Sequence, residues 1–258
     1  MNFTRAIARP PGRSFPQGLT MSSALGRADL QLALEQHAAY CAALRACGVE
    51  VTLLAPDEAH ADSTFVEDTA VIARRVAVIT RPGADSRRGE ITSIAAALRP
   101  LLAPLEHIAE PGTVDGGDIC QVEDHFLIGL SARTNEAGAA QLAAILQRHG
   151  YTSETIDIRA HRTLLHLKSG IAYLGDGHCL APADFPRPAS LGHLHWIESA
   201  PGEDYAANCV RVNGEVLFAT GYPATEARVR RAGFRLRLLD TSEFRKQDGG
   251  LSCLSLRF

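Results

Sequence analysis

The sequence predicts an α/β fold, a closed five-bladed α/β propeller with pseudo-five-fold repeats, built from residues 1–258 as a single domain. Three observations predict it. A unit of strand, polar loop, hairpin and helix returns about every 40 to 55 residues, four times. The two chain ends each supply a strand that can complete a fifth unit. Hairpin signals recur, such as Asp176-Gly177 and the type I′ dipeptide Asn213-Gly214. A doubly wound parallel sheet is the alternative, and the many hairpins count against it.

In chain order, residues 3–8 read as a short strand ended by Arg9-Pro10-Pro11-Gly12, with a loop over 13–27. Asp29 can cap a helix that runs to Gly48, with Leu30, Leu34, Cys41 and Leu44 on one stripe and His37 and Tyr40 packing beside it. Residues 49–54 form a strand, 69–73 and 76–80 a hairpin around Arg74-Arg75, and 88–102 a helix.

The pattern then recurs. Residues 105–109 form a strand, 119–122 and 125–129 a hairpin, and 136–149 a helix. Residues 155–158 form a strand and 171–174 with 179–181 a hairpin; 209–212 and 215–219 form another. A helix opens at Gly221-Tyr222-Pro223, and residues 234–240 and 254–258 are strands.

Apolar residues make up 46% of the chain and charged ones 21%, which favours a packed core over disorder. The formal net charge of -3, with both signs interspersed, gives no electrostatic case for nucleic acid or a membrane surface. Cys41, Cys47, Cys120, Cys179, Cys209 and Cys253 are spread out without CxxC pairs, so no disulfide framework or zinc module is signalled. With no apolar leader or membrane-length run, the expected setting is soluble, reducing and cytoplasmic.

Each repeat places polar residues in the same slot, just before its hairpin: Glu67 and Asp68, then Asp115 and Asp118, then His166, and finally Cys253. In a radial array these slots surround one axis. Taken alone, Cys253 would more often be a buried packing residue. Here it follows the turn signal Asp248-Gly249-Gly250 and precedes a strand. A thiol, an imidazole and several carboxylates would therefore converge. Clustered carboxylates call for a cation, and a planar guanidinium suits them. Arg87 and Arg133 share another slot, where they would suit a carboxylate at the far end of the ligand. The implied ligand is an arginine-like amino acid. A thiolate can attack its guanidinium carbon, and a histidine can protonate the departing amine.

Several segments carry a resemblance, in order and along nearly the whole chain. They are Phe65-Val66-Glu67-Asp68, residues 79–88, Asp115-Gly116-Gly117-Asp118, residues 131–135, Leu165-His166-Leu167-Lys168, Ala206-Ala207-Asn208-Cys209 and Ser252-Cys253. Together they resemble the dimethylarginine dimethylaminohydrolase family of the pentein, or guanidino-group-modifying, superfamily. The resemblance implies a five-bladed propeller and no cofactor; a metal site through Cys253 and His166 has no ligand spacing behind it, and no metal is expected. It implies hydrolysis of asymmetric dimethylarginine and monomethylarginine to citrulline and dimethylamine or methylamine, through a covalent cysteine intermediate.

Carried over by position, the resemblance makes Cys253 the nucleophile and His166 the acid/base. Asp68 and Asp115 match the carboxylates that hold the guanidinium and orient the histidine. Arg87 and Arg133 match α-carboxylate clamps; Asp62 and the main-chain carbonyl of Leu19 match the α-amino contact. Glu67 matches a pocket-lining position and Gln247 one that offers its main-chain carbonyl. Two departures stand out: position 115 is Glu in some bacterial relatives and Asp here, which leaves open whether it reaches substrate directly, and Gln247 is polar where the family tends to be aliphatic.

Arginine deiminase chemistry is the competing enzyme reading, and a non-catalytic module that binds arginine derivatives is the competing class. Deiminases of the superfamily tend to carry His-x-Asp, whereas here Lys168 lies two residues after His166. A dead module would have lost the cysteine or histidine, and both are present. The expected partner is a small molecule, methylated L-arginine; no nucleic acid or membrane partner is expected, and a homodimer is allowed for.

Overall fold

The computed structural model describes residues 2–161 and 164–258. Strand β1 (Arg5–Ala8) leads through helix α1 (Leu30–Ala46) to β2 (Glu50–Leu53), which lies parallel to β1. The next unit opens with an antiparallel hairpin, β3 (Ala70–Ala73) and β4 (Val76–Ile79). It continues through α2 (Ile91–Leu98) to β5 (Leu105–His107), parallel to β4. The same plan builds β6 (Ile119–Val122), β7 (His125–Leu130), α3 (Glu136–Arg148) and β8 (Thr152–Asp157).

It returns in β9 (Ala172–Gly175), β10 (His178–Ala181) and β11 (His195–Glu198). The next unit is β12 (Val210–Val212), β13 (Glu215–Ala219), α4 (Pro223–Arg231) and β14 (Leu236–Leu239). A short helix α5 (Ser242–Arg245) precedes β15 (Leu256–Arg257), which pairs antiparallel with β1. The chain ends thus complete one unit between them, as expected. The result is five separate three-stranded sheets, each a mixed one.

Local chemistry accounts for the elements. Asp29 accepts a hydrogen bond from Leu32 N–H at 2.9 Å and caps α1, a contact worth about 0.5–2 kcal/mol. Its buried stripe runs through Ala33, His37, Tyr40, Cys41 and Leu44, while Leu30 and Leu34 are only half-buried. In the 176–177 turn Asp176 and Gly177 both take positive φ, as a type I′ turn requires. At 213–214 only Asn213 does; its side chain is tied to Phe3 N and O and to Cys47 O, so the type I′ expectation holds for its first residue alone.

The middle strand of each sheet is the most buried: every residue of β4 is, whereas β2, β5, β11 and β14 are largely half-exposed. First strands of neighbouring sheets touch, β15 with β3, β6 with β9 and β9 with β12. Fully buried side chains such as Leu127, Phe126, Leu217 and Phe218 each contribute about 1.5–3 kcal/mol.

Four elements differ from expectation. The helix predicted over 88–102 is shorter; it begins as a 3₁₀ segment, Asp85–Glu90, and stops before Pro100. The third unit has no α-helix between β10 and β11, because Pro182, Pro186 and Pro188 fall in that connection. Strand β11 and helix α5 went unpredicted, since both are short and β11 is half-exposed. No helix among the described residues is long and apolar enough to cross a membrane.

Candidate active site

The four polar slots, with an equivalent segment ahead of β12, become five one-turn 3₁₀ helices among the described residues, each just ahead of the first strand of its sheet. They are Val66–Thr69, Gly116–Asp118, Leu167–Ser169, Asp204–Ala207 and Leu251–Leu254. Val66–Thr69 touches Leu251–Leu254 on one side and Gly116–Asp118 on the other. Gly116–Asp118 touches Leu167–Ser169, which touches Asp204–Ala207. Ser252 N–H then donates to Asn208 Oδ1 at 3.1 Å, linking the fourth turn to the fifth.

Cys253 lies inside the last turn rather than where a turn becomes a strand. Gly249 and Gly250 make that approach possible: a Cβ on them would come within 2.1 Å of the Phe65 ring and 2.3 Å of Asn208 Cγ. The thiol faces Asn208 Nδ2 and Ser252 Oγ, each 3.9 Å away. Burial, with the charges of Glu67 and Asp68 behind it, pushes the thiol up to about 12. Arg257 anchors the turn by donating to Ser252 O at 3.0 Å and Ser255 O at 2.9 Å.

His166 stands at the start of the third turn with Nε2 3.0 Å from Asp115 Oδ2. Gly117 must lack a side chain, since a Cβ there would sit 2.8 Å from His166 Nδ1 and 2.7 Å from Asp68 Oδ1. Burial alone would lower the imidazole's pKa. The charges of Asp68 and Asp118, and then the hydrogen bond to Asp115, outweigh it and raise it to about 9. Asp115 is fully buried, and its Oδ1 accepts from Gly83 N–H at 2.8 Å. Burial would raise its carboxyl, but the bond to His166 and the charges of His166 and Arg87 hold it below the usual range.

Asp68 accepts from Gly117 N–H at 2.8 Å and from Arg87 Nη1 at 2.5 Å. Asp68, Asp115 and His166 bring one atom each within 4.8 Å of one another. Among the described residues this is the one His, Cys and carboxylate cluster tight enough to share a metal ion. Both carboxylates are already bound by N–H donors, and the set suits an organic cation as well.

Arg87 is buried and largely spoken for. It meets Glu90 through Nε at 3.0 Å and Nη2 at 2.8 Å, Asp68 through Nη1, and Phe65 O through Nη2 at 3.0 Å. Arg133 is half-buried, and its side chain makes no hydrogen bond among the described residues. Its charge and that of Arg87 act on Asp62, whose carboxyl burial nevertheless raises. Asp62 Oδ1 accepts from Leu19 N–H at 3.0 Å. The Gln247 amide, oriented to donate, reaches Gly18 O at 3.1 Å and Leu19 O at 3.2 Å. Asp62, Leu19 and Gln247 thus lie together, Asp68, Asp115 and His166 form one cluster, and Arg87 bridges the two through Asp62 O and Asp68.

Glu67 does not face open space. It accepts from Ser252 Oγ at 2.9 Å and Arg257 Nη2 at 3.0 Å, and pairs with Lys168 Nζ at 2.7 Å. The pattern places Asp118 only among the converging carboxylates, and no sequence signal marks Glu90, Asn208, Ser252 or Arg257 for the contacts they make. Asp118 stood inside a quoted motif, but nothing in Asp-Gly-Gly-Asp separates the two carboxylates by role.

Residues 103–179 match the arginine deiminase family model. The chain is 48% identical over 257 residues to N(G),N(G)-dimethylarginine dimethylaminohydrolase of Pseudomonas aeruginosa, covering 99% of this chain and 100% of that protein. The chain belongs to the dimethylarginine dimethylaminohydrolase family. The Streptomyces coelicolor member is 35% identical, over 98% of this chain and 96% of that one. A Pseudomonas aeruginosa cysteine-to-serine mutant, crystallised with citrulline, superposes with a TM-score of 0.94 at 48% identity over the full length of both chains. The N-terminal domain of ArgZ, an arginine dihydrolase, shares the fold at a TM-score of 0.87 and 18% identity.

Proposed function

We propose that this chain hydrolyses Nω-methylated arginine to citrulline and methylamine or dimethylamine, with Cys253 as nucleophile and His166 as acid and base. The observation that carries the reading is the convergence of a thiol, a carboxylate-held imidazole and Asp68 on one ring of turns, in a chain of this family.

The guanidinium sits against Asp68, whose charge it balances, and Asp115 keeps the imidazole aimed. A cation placed there offsets the field of Glu67 and Asp68 that holds the thiol protonated, so substrate itself promotes thiolate formation. The sulfur bonds to the guanidinium carbon, the C–N bond to the methylated nitrogen breaks, and the imidazolium of His166 gives that nitrogen its proton. The thiol's proton passes to solvent as the sulfur attacks, so His166 is left as the neutral imidazole once the amine has gone. Water then attacks the thiouronium carbon, His166 takes the water's proton, and the C–S bond breaks to release citrulline and restore the thiol.

Arg133, with free donors, binds the α-carboxylate, and Arg87 adds its remaining Nη1 N–H while holding Asp68. Asp62 and the Leu19 carbonyl take the α-amino group; Gln247 fixes the loop that carries Leu19. Apart from Arg133 and the exposed Leu19, the site residues are 0–7% exposed, so the loop that carries Leu19 is read as a lid. Glu67 lines the pocket while bound to Ser252, Arg257 and Lys168. The sheets are read as blades of one closed five-bladed propeller domain, which the ring of contacts between the turns supports.

Lys168 supports methylarginine over free arginine as substrate. Its ammonium, paired with Glu67, stands where a deiminase would place another acceptor for N–H groups. Citrulline and amine assayed from a panel of guanidines test the proposal.

A further inference from the structure

Asp118 touches neither Cys253 nor the imidazole ring, yet it is completely buried and fully bonded. Its Oδ2 accepts from Ser131 Oγ at 2.6 Å and Thr134 Oγ1 at 2.7 Å, and its Oδ1 from Leu167 N–H at 3.0 Å. These partners belong to two different functional segments. Leu167 is the residue after His166. Ser131 and Thr134 flank Arg133, and Ser131 Oγ accepts the N–H groups of Arg133 at 2.9 Å and Thr134 at 3.2 Å. Thr134 Oγ1 also accepts from Asp115 N–H at 3.1 Å.

We propose that Asp118 is a positioning residue that locks the turn of the general acid His166 to the loop of the carboxylate-binding Arg133, fixing the distance between the two ends of the substrate. The inference rests on the roles of His166 and Arg133 given above. The space around Asp118 is tight: a Cβ on Gly129 would meet Leu167 Cβ at 2.9 Å and Asp118 Oδ1 at 3.2 Å. Its three donors have no other acceptor among the described residues. Burial pushes its carboxyl up to about 6, against the opposing charge of His166 and the bonds from Ser131 and Thr134. Asp68, Asp118 and Asp115 are the acids that raise His166, and Asp68 is itself paired with Arg87.

The test is Asp118→Asn, which keeps the shape but turns an amide donor toward two hydroxyls. The expected result is a kcat lower by about tenfold and a KM for asymmetric dimethylarginine higher by about fivefold, because both ends of the substrate lose register. The His166 titration, followed by NMR in the free protein, moves to lower pH, a readout that needs no turnover. Thr134→Val reproduces the joint kcat and KM effect, and Thr134→Ser, which restores the hydroxyl, recovers most of it. This pair decides the matter if Asp118→Asn does not fold. A folded Asp118→Asn with wild-type kcat and KM and an unmoved His166 titration overturns the inference, as does a Thr134→Ser as impaired as Thr134→Val. Absence of methylarginine turnover in the unmutated protein overturns the proposed function instead, and the NMR midpoint still decides the link to His166.

Discussion

His166 Nε2 lies 3.0 Å from Asp115 Oδ2, both groups buried, and Asp115 is in turn anchored by Gly83 N–H. The charges of Asp68 and Asp118, and then this pairing, hold the imidazole protonated at neutral pH, ready to donate to a leaving amine. His166→Gly should therefore abolish turnover while leaving substrate binding largely intact. Equilibrium binding of asymmetric dimethylarginine to that variant checks it; loss of binding in parallel with turnover would assign the imidazole to ground-state binding.

The same cluster of acids sets the sign of a pH effect on stability. The folded-state pKa of His166, about 9, exceeds the unfolded value of 6.5. Its stabilising contribution is present below the unfolded value and is lost as pH rises through about 9. Denaturation midpoints of the wild type should fall between pH 7 and pH 9 more steeply than those of His166→Gly, as measured by urea titration at a series of pH values.

The thiol should be un-ionised in the free protein. Glu67 and Asp68 repel its charge and burial withholds solvent, so its pKa is pushed up to about 12. Alkylation of Cys253 by iodoacetamide should keep accelerating past pH 10. A plateau near neutral pH would show a thiolate already formed without substrate. Cys253→Ser should lose turnover by orders of magnitude, and acid-quenched wild-type reactions should show an adduct on Cys253 by intact mass.

The two arginines should behave differently. Arg133→Ala should mainly raise KM, since its donors are free for the substrate carboxylate. Arg87→Ala should lower stability and kcat as well, because it strips the partners from buried Glu90 and Asp68. Steady-state kinetics with thermal melts separate the cases. Agmatine, which lacks the carboxylate, should be a poor substrate; turnover equal to that of the amino acids would remove the clamp.

Much of this was legible in the sequence. The repeat spacing placed the hairpins within a residue or two and joined the chain ends into one unit, because Gly and Asn turn chemistry acts locally. The common slot of Asp68, Asp115, His166 and Cys253 was legible for the same reason. What escaped was set by packing. Cys253 falls in a 3₁₀ turn because Arg257, four residues on, ties down Ser252 O. Glu67 matches a pocket-lining position in the sequence, and only the fold shows Lys168 and Arg257 paired with it. Arg87 and Arg133 look equivalent by position, and only the fold shows Glu90 occupying one of them.

The most direct measurement is parallel quantitation of citrulline and released amine from asymmetric dimethylarginine, Nω-monomethylarginine, symmetric dimethylarginine and free arginine. The account predicts citrulline with equimolar dimethylamine or methylamine from the first two, and poor turnover of the last two. Ammonia from free arginine, at a kcat/KM equal to or above that for the methylated substrates, would contradict it.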